Sequence, residues 1–398
     1  MNPSIVRHAA FLALASLRHA WRRSLLLAIV VGLSLGIPAA LSTLLEQASV
    51  DMRGRAAIAP TVLGARGSES DLVFGALFFA TRAPAGLALG DLARVEREGL
   101  AAAVPLALGA TVRGIPVVGT TIDYFERRGL EPAAGARFAT ISECVAGADA
   151  ARELGLAPGS RLFTDPGSLA NLAGTYPLEL RVTGVLPRTG TPDDGALFVD
   201  LRTSWTIAGL GHRHEDPKEA GVPGALLAQD GRNAIAGEAL PIDRSAADAP
   251  ATDFHFHGDE DGFPIDAALV YPRDGKAQAI LLGRFAGRDE RLQLVRPDLF
   301  VERVLERIFG VGRVLGAVAA ATALLVGLVA ATAFALSIRL RADELALMRR
   351  LGASRARVAT FLSVEAAALL LAATLLAIAL ALAAPAAAPI VLRSASGG

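Results

Sequence analysis

The chain has 398 residues, 39 basic and 39 acidic, so no global field recruits nucleic acid. Its residues are 53% hydrophobic and its mean hydropathy is +0.44, above what a soluble domain carries. The excess lies in blocks near the two ends, which excludes a disordered, collagenous or disulfide-stapled chain. Cys144 is the sole cysteine, so an intrachain disulfide and any CxxC metal or redox motif are excluded as well.

Residues 1–23 carry Arg7, Arg18, Arg22 and Arg23 and no acidic residue. Ile5, Val6, Ala9, Phe11, Leu12, Leu14, Leu17 and Trp21 alternate with basic positions at roughly helical period, which predicts an amphipathic helix on the inner leaflet. Ser24 to Leu45 is uncharged and long enough to cross a hydrocarbon core, which takes about 20 helical residues. It exceeds the apolar region of a signal peptide and reads as a retained anchor, transmembrane segment 24–45. The GxSxG pattern at Gly32–Gly36 lies inside this span, away from the strand–turn–helix setting of a hydrolase; as GxxxG it predicts close helix packing.

Residues 46–313 form a large insertion. Strands are expected at Val73–Phe79, Thr111–Thr121, Leu178–Leu186, Ala196–Leu201, Ala267–Tyr271 and Ala279–Leu282, with helices at Leu89–Ala103 and Gly147–Leu154. Residues 187–195 read as a turn cluster, and 209–262, rich in Gly, Pro, Asp and His, as a long loop excursion. The expected class is a membrane protein with α-helical transmembrane segments and a large α+β extracytoplasmic domain. Continuous helical patterns at Glu46–Ala57 and after Pro297 suggest stalk helices leading into the first and second spans.

Val314–Ile338 and Ala366–Leu392 are the further uncharged runs. Pro385 and Pro389 are expected to end the last helix early, giving spans 314–338 and 358–384 and a short tail 385–398. Between them, residues 339–357 hold Arg339, Arg341, Arg349, Arg350, Arg355 and Arg357 against Asp343 and Glu344. By the positive-inside rule this loop and the N-terminus are cytoplasmic, and 46–313 is outside. Glu365, at the start of the third span, is expected to pair with Arg357 at the membrane interface.

No GxxxxGK[ST] phosphate loop and no HExxH motif exist. Two features with chemical content remain. His212 and His214 sit in GHRHED, and His255 and His257 in DFHFHGDED; in an extended segment each HxH presents two imidazoles on one face. The four are candidate ligands for a divalent transition metal such as zinc, the alternative being a solvated loop. In the loop 339–357, Leu345, Met348 and Leu351 form an apolar stripe beside basic flanks, Gly352 is a helix stop and Ser354 a helix start.

The stretch RLRADELALMRRLGASRARV resembles the signature of FtsX-like permeases of the MacB type, R-x-x-E-x-x-x-(L/M)-R-x-L-G-A-S between two spans. Arg341, Glu344, Met348, Arg349, Leu351, Gly352, Ala353 and Ser354 occupy its positions. The resemblance implies the permease subunit of an ABC transporter in the bacterial inner membrane, non-catalytic, dimeric or paired with a second permease, and driven by a separate cytoplasmic ATPase. It implies that the loop is a coupling helix whose Leu345, Met348, Arg349 and Leu351 contact that ATPase, for transport or mechanotransmission. Such permeases have four spans where three are seen here, so this chain either is shortened or works with three. It needs no cofactor of its own; a metal-handling version would receive zinc from a periplasmic binding protein. A membrane-anchored sensor or scaffold regulating an extracytoplasmic enzyme is the alternative.

Overall fold

The computed structural model describes residues 21–81, 83–166, 177–213, 226–230, 233–236, 251–287 and 289–396, with Phe11, Ala15, Ser16, Arg18 and His19. Most of the expected amphipathic helix at 1–23 lies outside these residues, as does His214. The chain divides into two compact units, one made of residues 1–51 and 304–398 and the other of residues 52–303.

The first unit is helical. Three of its helices are long and apolar enough to cross a membrane: Trp21–Ala56, Pro297–Leu340 and the portion Arg355–Pro385 of a third. Lipid offers backbone groups no hydrogen bonds, so an unbroken helix is the natural conformation of each run. The third helix continues to Ser396, through the prolines expected to end it. Pro38 is likewise carried inside the first helix. A proline removes one donor, and where no water competes the remaining ladder holds the helix together. Gly32 and Gly36 lie against this third helix, where an added Cβ would come within 2.8 Å of Leu376 and of Leu380. The GxxxG spacing is therefore a packing contact, and Thr43 Oγ1 adds a hydrogen bond to the Ala381 carbonyl at 3.2 Å. Leu324, Leu328, Leu371 and Leu382 point outward and exposed, as lipid-facing side chains do.

The second unit is an α+β domain built on a ten-stranded mixed sheet. Across the sheet the strands run Leu292–Val295, Thr61–Ala65, Ala267–Pro272, Ala101–Val112, Ile115–Thr120, Leu197–Asp200, Glu143–Ala146, Glu179–Val185 and Ala134–Gly135, with Arg161–Phe163 also paired to Glu179–Val185. Two pairings are parallel, Ile115–Thr120 with Leu197–Asp200 and Glu143–Ala146 with Glu179–Val185; the other pairings in this sheet are antiparallel. The central strands are buried on both faces, so they read as continuous apolar runs. Within Leu197–Asp200, for instance, Leu197 and Val199 join one core, while Phe198 stacks on Tyr124 at 5.3 Å and meets Phe125 edge-on at 5.6 Å.

Several expected elements change type. Val73–Phe79 is not a strand but most of the helix Glu69–Phe78, capped by Ser68, whose hydroxyl accepts from the Asp71 amide at 3.2 Å. Ala279–Leu282 belongs to the helix Gly275–Arg284, started by Asp274, which accepts from the Ala277 amide at 2.7 Å. Short apolar runs carry no period, and in both cases the N-cap decides. Leu89–Ala103 breaks into short helical turns ending at Glu98 and Gly99, both at positive φ, and its last residues begin the long strand Ala101–Val112. Thr111–Thr121 is a hairpin rather than one strand: Arg113 and Gly114, both at positive φ, turn the chain between Val112 and Ile115. The described part of 209–262 holds strands, at Gly211–His212, Leu226–Asp230, Asn233–Ala236 and His255–Phe256, in place of an unstructured excursion.

The turn cluster at 187–195 carries the domain's central polar contact. Asp193 is fully buried and receives Arg55 Nη1 and Nη2 at 2.9 and 2.8 Å, Arg128 Nη2 at 2.6 Å and the Tyr124 hydroxyl at 2.6 Å. Burial opposes the Asp193 charge, but the Arg55 guanidinium, with Arg128 beside it, outweighs that cost and holds the carboxyl down at about 2. Burial pushes the neighbouring Tyr124 hydroxyl up, and it pushes the Cys144 thiol in the sheet up to about 12.

Because the folded pKa of Asp193 lies below its ordinary 3.8, its ion pairs stabilise the fold above about pH 4 and are lost as pH falls towards 2. Asp193→Asn leaves two arginines in the interior without a counter-charge and is expected to cost about 3–5 kcal/mol at neutral pH. In urea titrations followed by fluorescence of the buried Trp205, the gap between wild type and variant should narrow from pH 4 to 2. A gap that stays constant over that range would contradict the assignment.

Candidate functional site

The residues between the second and third long helices fold as a short helix, Ala342–Arg350, with defined ends. Its C-terminus is closed by two hydrogen bonds, Ala353 N–H to the Met348 carbonyl at 3.1 Å and Gly352 N–H to the Arg349 carbonyl at 3.0 Å. This is a Schellman closure, and it needs a residue in the left-handed region; Gly352 supplies it at φ +93°. Ser354 then caps the third long helix, accepting the Arg357 amide at 3.3 Å. The Leu-Gly-Ala-Ser run is thus a stop and a restart within four residues.

The helix's N-terminus is fixed by Arg341. Its Nε donates to Glu344 at 3.0 Å, its Nη1 to both Glu365 oxygens at 3.2 and 3.3 Å, and its Nη2 to the Ser16 hydroxyl at 2.9 Å. Ser16 in turn donates to Glu365 at 3.0 Å, and the guanidinium lies over Phe361 at 5.8 Å. Glu365 is buried, and its partner is Arg341 rather than the expected Arg357. Arg357 is exposed and sits eight residues back along the same helix, about 12 Å of rise away. Sequence spacing along one helix could not reveal a partner supplied from the preceding turn.

The apolar stripe divides into two sides. Leu345 is buried in a small cluster with Phe361, against which Ile338, Met348, Val358 and Leu362 pack. Leu351 is 80% exposed and Leu347 57% exposed. Arg349 and Arg350 are exposed beside them. Leu345 therefore anchors the helix to its own unit and is not on the outer face; Leu347, missed in the sequence, is. The i, i+4 spacing of Leu347 and Leu351 was the available signal.

In the second unit, the strands Gly211–His212 and His255–Phe256 pair antiparallel, with His212 opposite His255. His212, His255 and His257 come together, each offering a nitrogen within 4.8 Å of the others. Ring centroids are 4.5 Å apart for His212–His255, 4.9 Å for His212–His257 and 5.4 Å for His255–His257. His214, the fourth candidate, lies outside the described residues.

Comparison with known proteins accords with both units. Residues 24–237 match the MacB-like periplasmic core domain, and residues 316–395 match the FtsX-like permease C-terminal domain. The chain belongs to the FtsX/MacB-type family of ABC transporter permeases. Its fold class, a membrane protein with an extracytoplasmic α+β domain, is the one that family carries. Among solved structures, the periplasmic region of MacB from Actinobacillus actinomycetemcomitans is 10% identical, with 61% of this chain and 91% of that chain covered and a TM-score of 0.34. The extracellular domain of the noncanonic ABC-type transporter YknZ from Gram-positive bacteria is 15% identical, over 59% of this chain and 99% of that chain, at a TM-score of 0.32. No curated protein matches the chain.

Removing Arg341 leaves Glu365 buried without a counter-ion. Arg341→Ala should therefore destabilise the helical unit strongly, by about 3–5 kcal/mol, and adding Glu365→Ala should recover much of the loss. Thermal unfolding of the full chain in detergent measures this cycle; additive losses would show that the pair is not coupled.

Proposed function

We propose that the chain is the membrane subunit through which a separate cytoplasmic ABC ATPase drives its extracytoplasmic domain, and that the helix Ala342–Arg350 is the coupling contact. The observation that carries this reading is the exposed pair Leu347 and Leu351, on a short helix whose opposite face is pinned by Leu345 and whose N-terminus is clamped by Arg341. Two exposed leucines flanked by arginines suit a groove that is apolar at its floor and acidic at its rim.

A load on this helix passes to the third long helix by two routes, the Arg341–Glu365 ion pair and the Leu345–Phe361 contact. Both are close-packed or charge-paired, so the helix moves with its support instead of yielding alone. The excess of arginine in residues 1–23 and 339–357 supports a cytoplasmic N-terminus and a cytoplasmic coupling helix, in a multi-pass protein of the bacterial inner membrane. On this reading the ATP chemistry belongs to the partner. The chain works as a homodimer or with a second permease chain, for transport or for transmission of motion to the extracytoplasmic side.

Leu351→Asp places a charge on the docking face without touching the core of the unit. With the cognate ATPase reconstituted in proteoliposomes, this variant should insert normally and lose permease-dependent stimulation of ATP hydrolysis. Stimulation equal to wild type would remove the coupling assignment.

A further inference from the structure

We propose that His212, His255 and His257 form part of a binding site for a borderline divalent transition-metal ion on the extracytoplasmic domain. The site is independent of the ATPase coupling above and lies in the other unit of the chain.

The local sequence builds it. In Phe254-His255-Phe256-His257 the side chains alternate as in any strand, so the phenyl rings and the imidazoles face opposite ways. Phe254 is buried in one core, and Phe256 packs against both, 6.5 Å from Trp205 and 6.2 Å from Phe263. The strand is therefore fixed by its phenylalanines while His255 and His257 stay exposed. Pairing of Gly211 with Phe256 sets His212 opposite His255, and the His257 amide donates to the Leu210 carbonyl at 3.1 Å. An added Cβ at Gly211 would come within 2.4 Å of the Phe256 ring, so only glycine allows this approach. Three imidazoles are thus presented from two paired strands backed by a packed core, which positions ligands better than a free loop does.

The donor set selects the ion. Among the described residues it consists of nitrogen alone; the sole cysteine is buried in the sheet. No carboxylate among the described residues joins the three imidazoles; Asp253 lies 3.6 Å from Arg213 and Glu260 pairs with Arg202 at 3.0 Å. Calcium and magnesium take oxygen ligands, whereas neutral imidazoles suit zinc, copper and nickel. Tetrahedral coordination at 2.0–2.1 Å per bond puts nitrogens about 3.3 Å apart, a small closure from the present spacing for exposed side chains.

The test uses the full-length chain in detergent, without an affinity tag, stripped with chelator and titrated with Zn²⁺ against a chromophoric competitor. We expect one Zn²⁺ per chain, retained in excess Mg²⁺ and Ca²⁺. His212→Ala, His255→Ala and His257→Ala should each weaken it at least ~10-fold, and His19→Ala should leave it unchanged. Circular dichroism checks that the variants fold. Independently of any variant, Co²⁺ on the wild-type chain should give the visible bands of a four-coordinate site that Zn²⁺ abolishes. Absence of Zn²⁺-displaceable bands, or Zn²⁺ affinity equal in wild type and all three variants, would overturn the site.

Discussion

Asp193 and Glu365 are carboxylates that the fold takes almost completely out of water, and each is held there by arginine. A buried charge is tolerated only when it is paired and hydrogen-bonded, so these two positions dictate what surrounds them. Around Asp193, Arg55 and Arg128 converge with Tyr124 and tie the residue range 52–56, the helix Ile122–Arg128 and the turn Pro192–Gly195 into one body. Around Glu365, Arg341 joins the short helix to the third long helix and to Ser16. The chain's cations suit this use: of its basic residues only Lys218 and Lys276 are lysines. A guanidinium bridges two oxygens at once and stays charged when buried, which an ammonium does less well.

On the proposed coupling reading, the Glu365 clamp is what lets the loop transmit a push. A loop held only by its ends would absorb a push by bending. Here the N-terminus is charge-paired, the inner face packs Leu345 on Phe361, and the C-terminus closes through Gly352 and restarts at Ser354. Among the described residues, the outer face with Leu347 and Leu351 stays exposed.

Much of this was legible in the sequence, for reasons that differ by region. The long apolar runs and their arginine flanks announced the membrane helices, because lipid leaves few alternatives to a helix. The loop's Gly352 and Ser354 gave their capping roles directly, since each follows from local backbone geometry. The metal candidates were legible as HxH patterns, but that His212 faces His255 depended on a strand pairing across some forty residues. The hidden parts are long-range. Nothing near Asp193 marks it as the counter-ion of Arg55, and Glu365 looked nearer to Arg357 than to its real partner. The apolar runs at 73–79 and 279–282 misled because burial on all sides erases period, leaving Ser68 and Asp274 as the deciding residues.

The central claim is that one face of the helix Ala342–Arg350 and its C-cap meets an ATPase while the other is bound to its own unit. The buried, high-pKa Cys144 makes the wild-type chain a silent background for thiol chemistry. The most direct measurement is therefore thiol cross-linking, in native membranes, of Leu345→Cys, Leu347→Cys and Leu351→Cys variants to the cognate ATPase subunit. The account predicts cross-links from positions 347 and 351 and none from 345. A cross-link from 345, or none from 351, would contradict it.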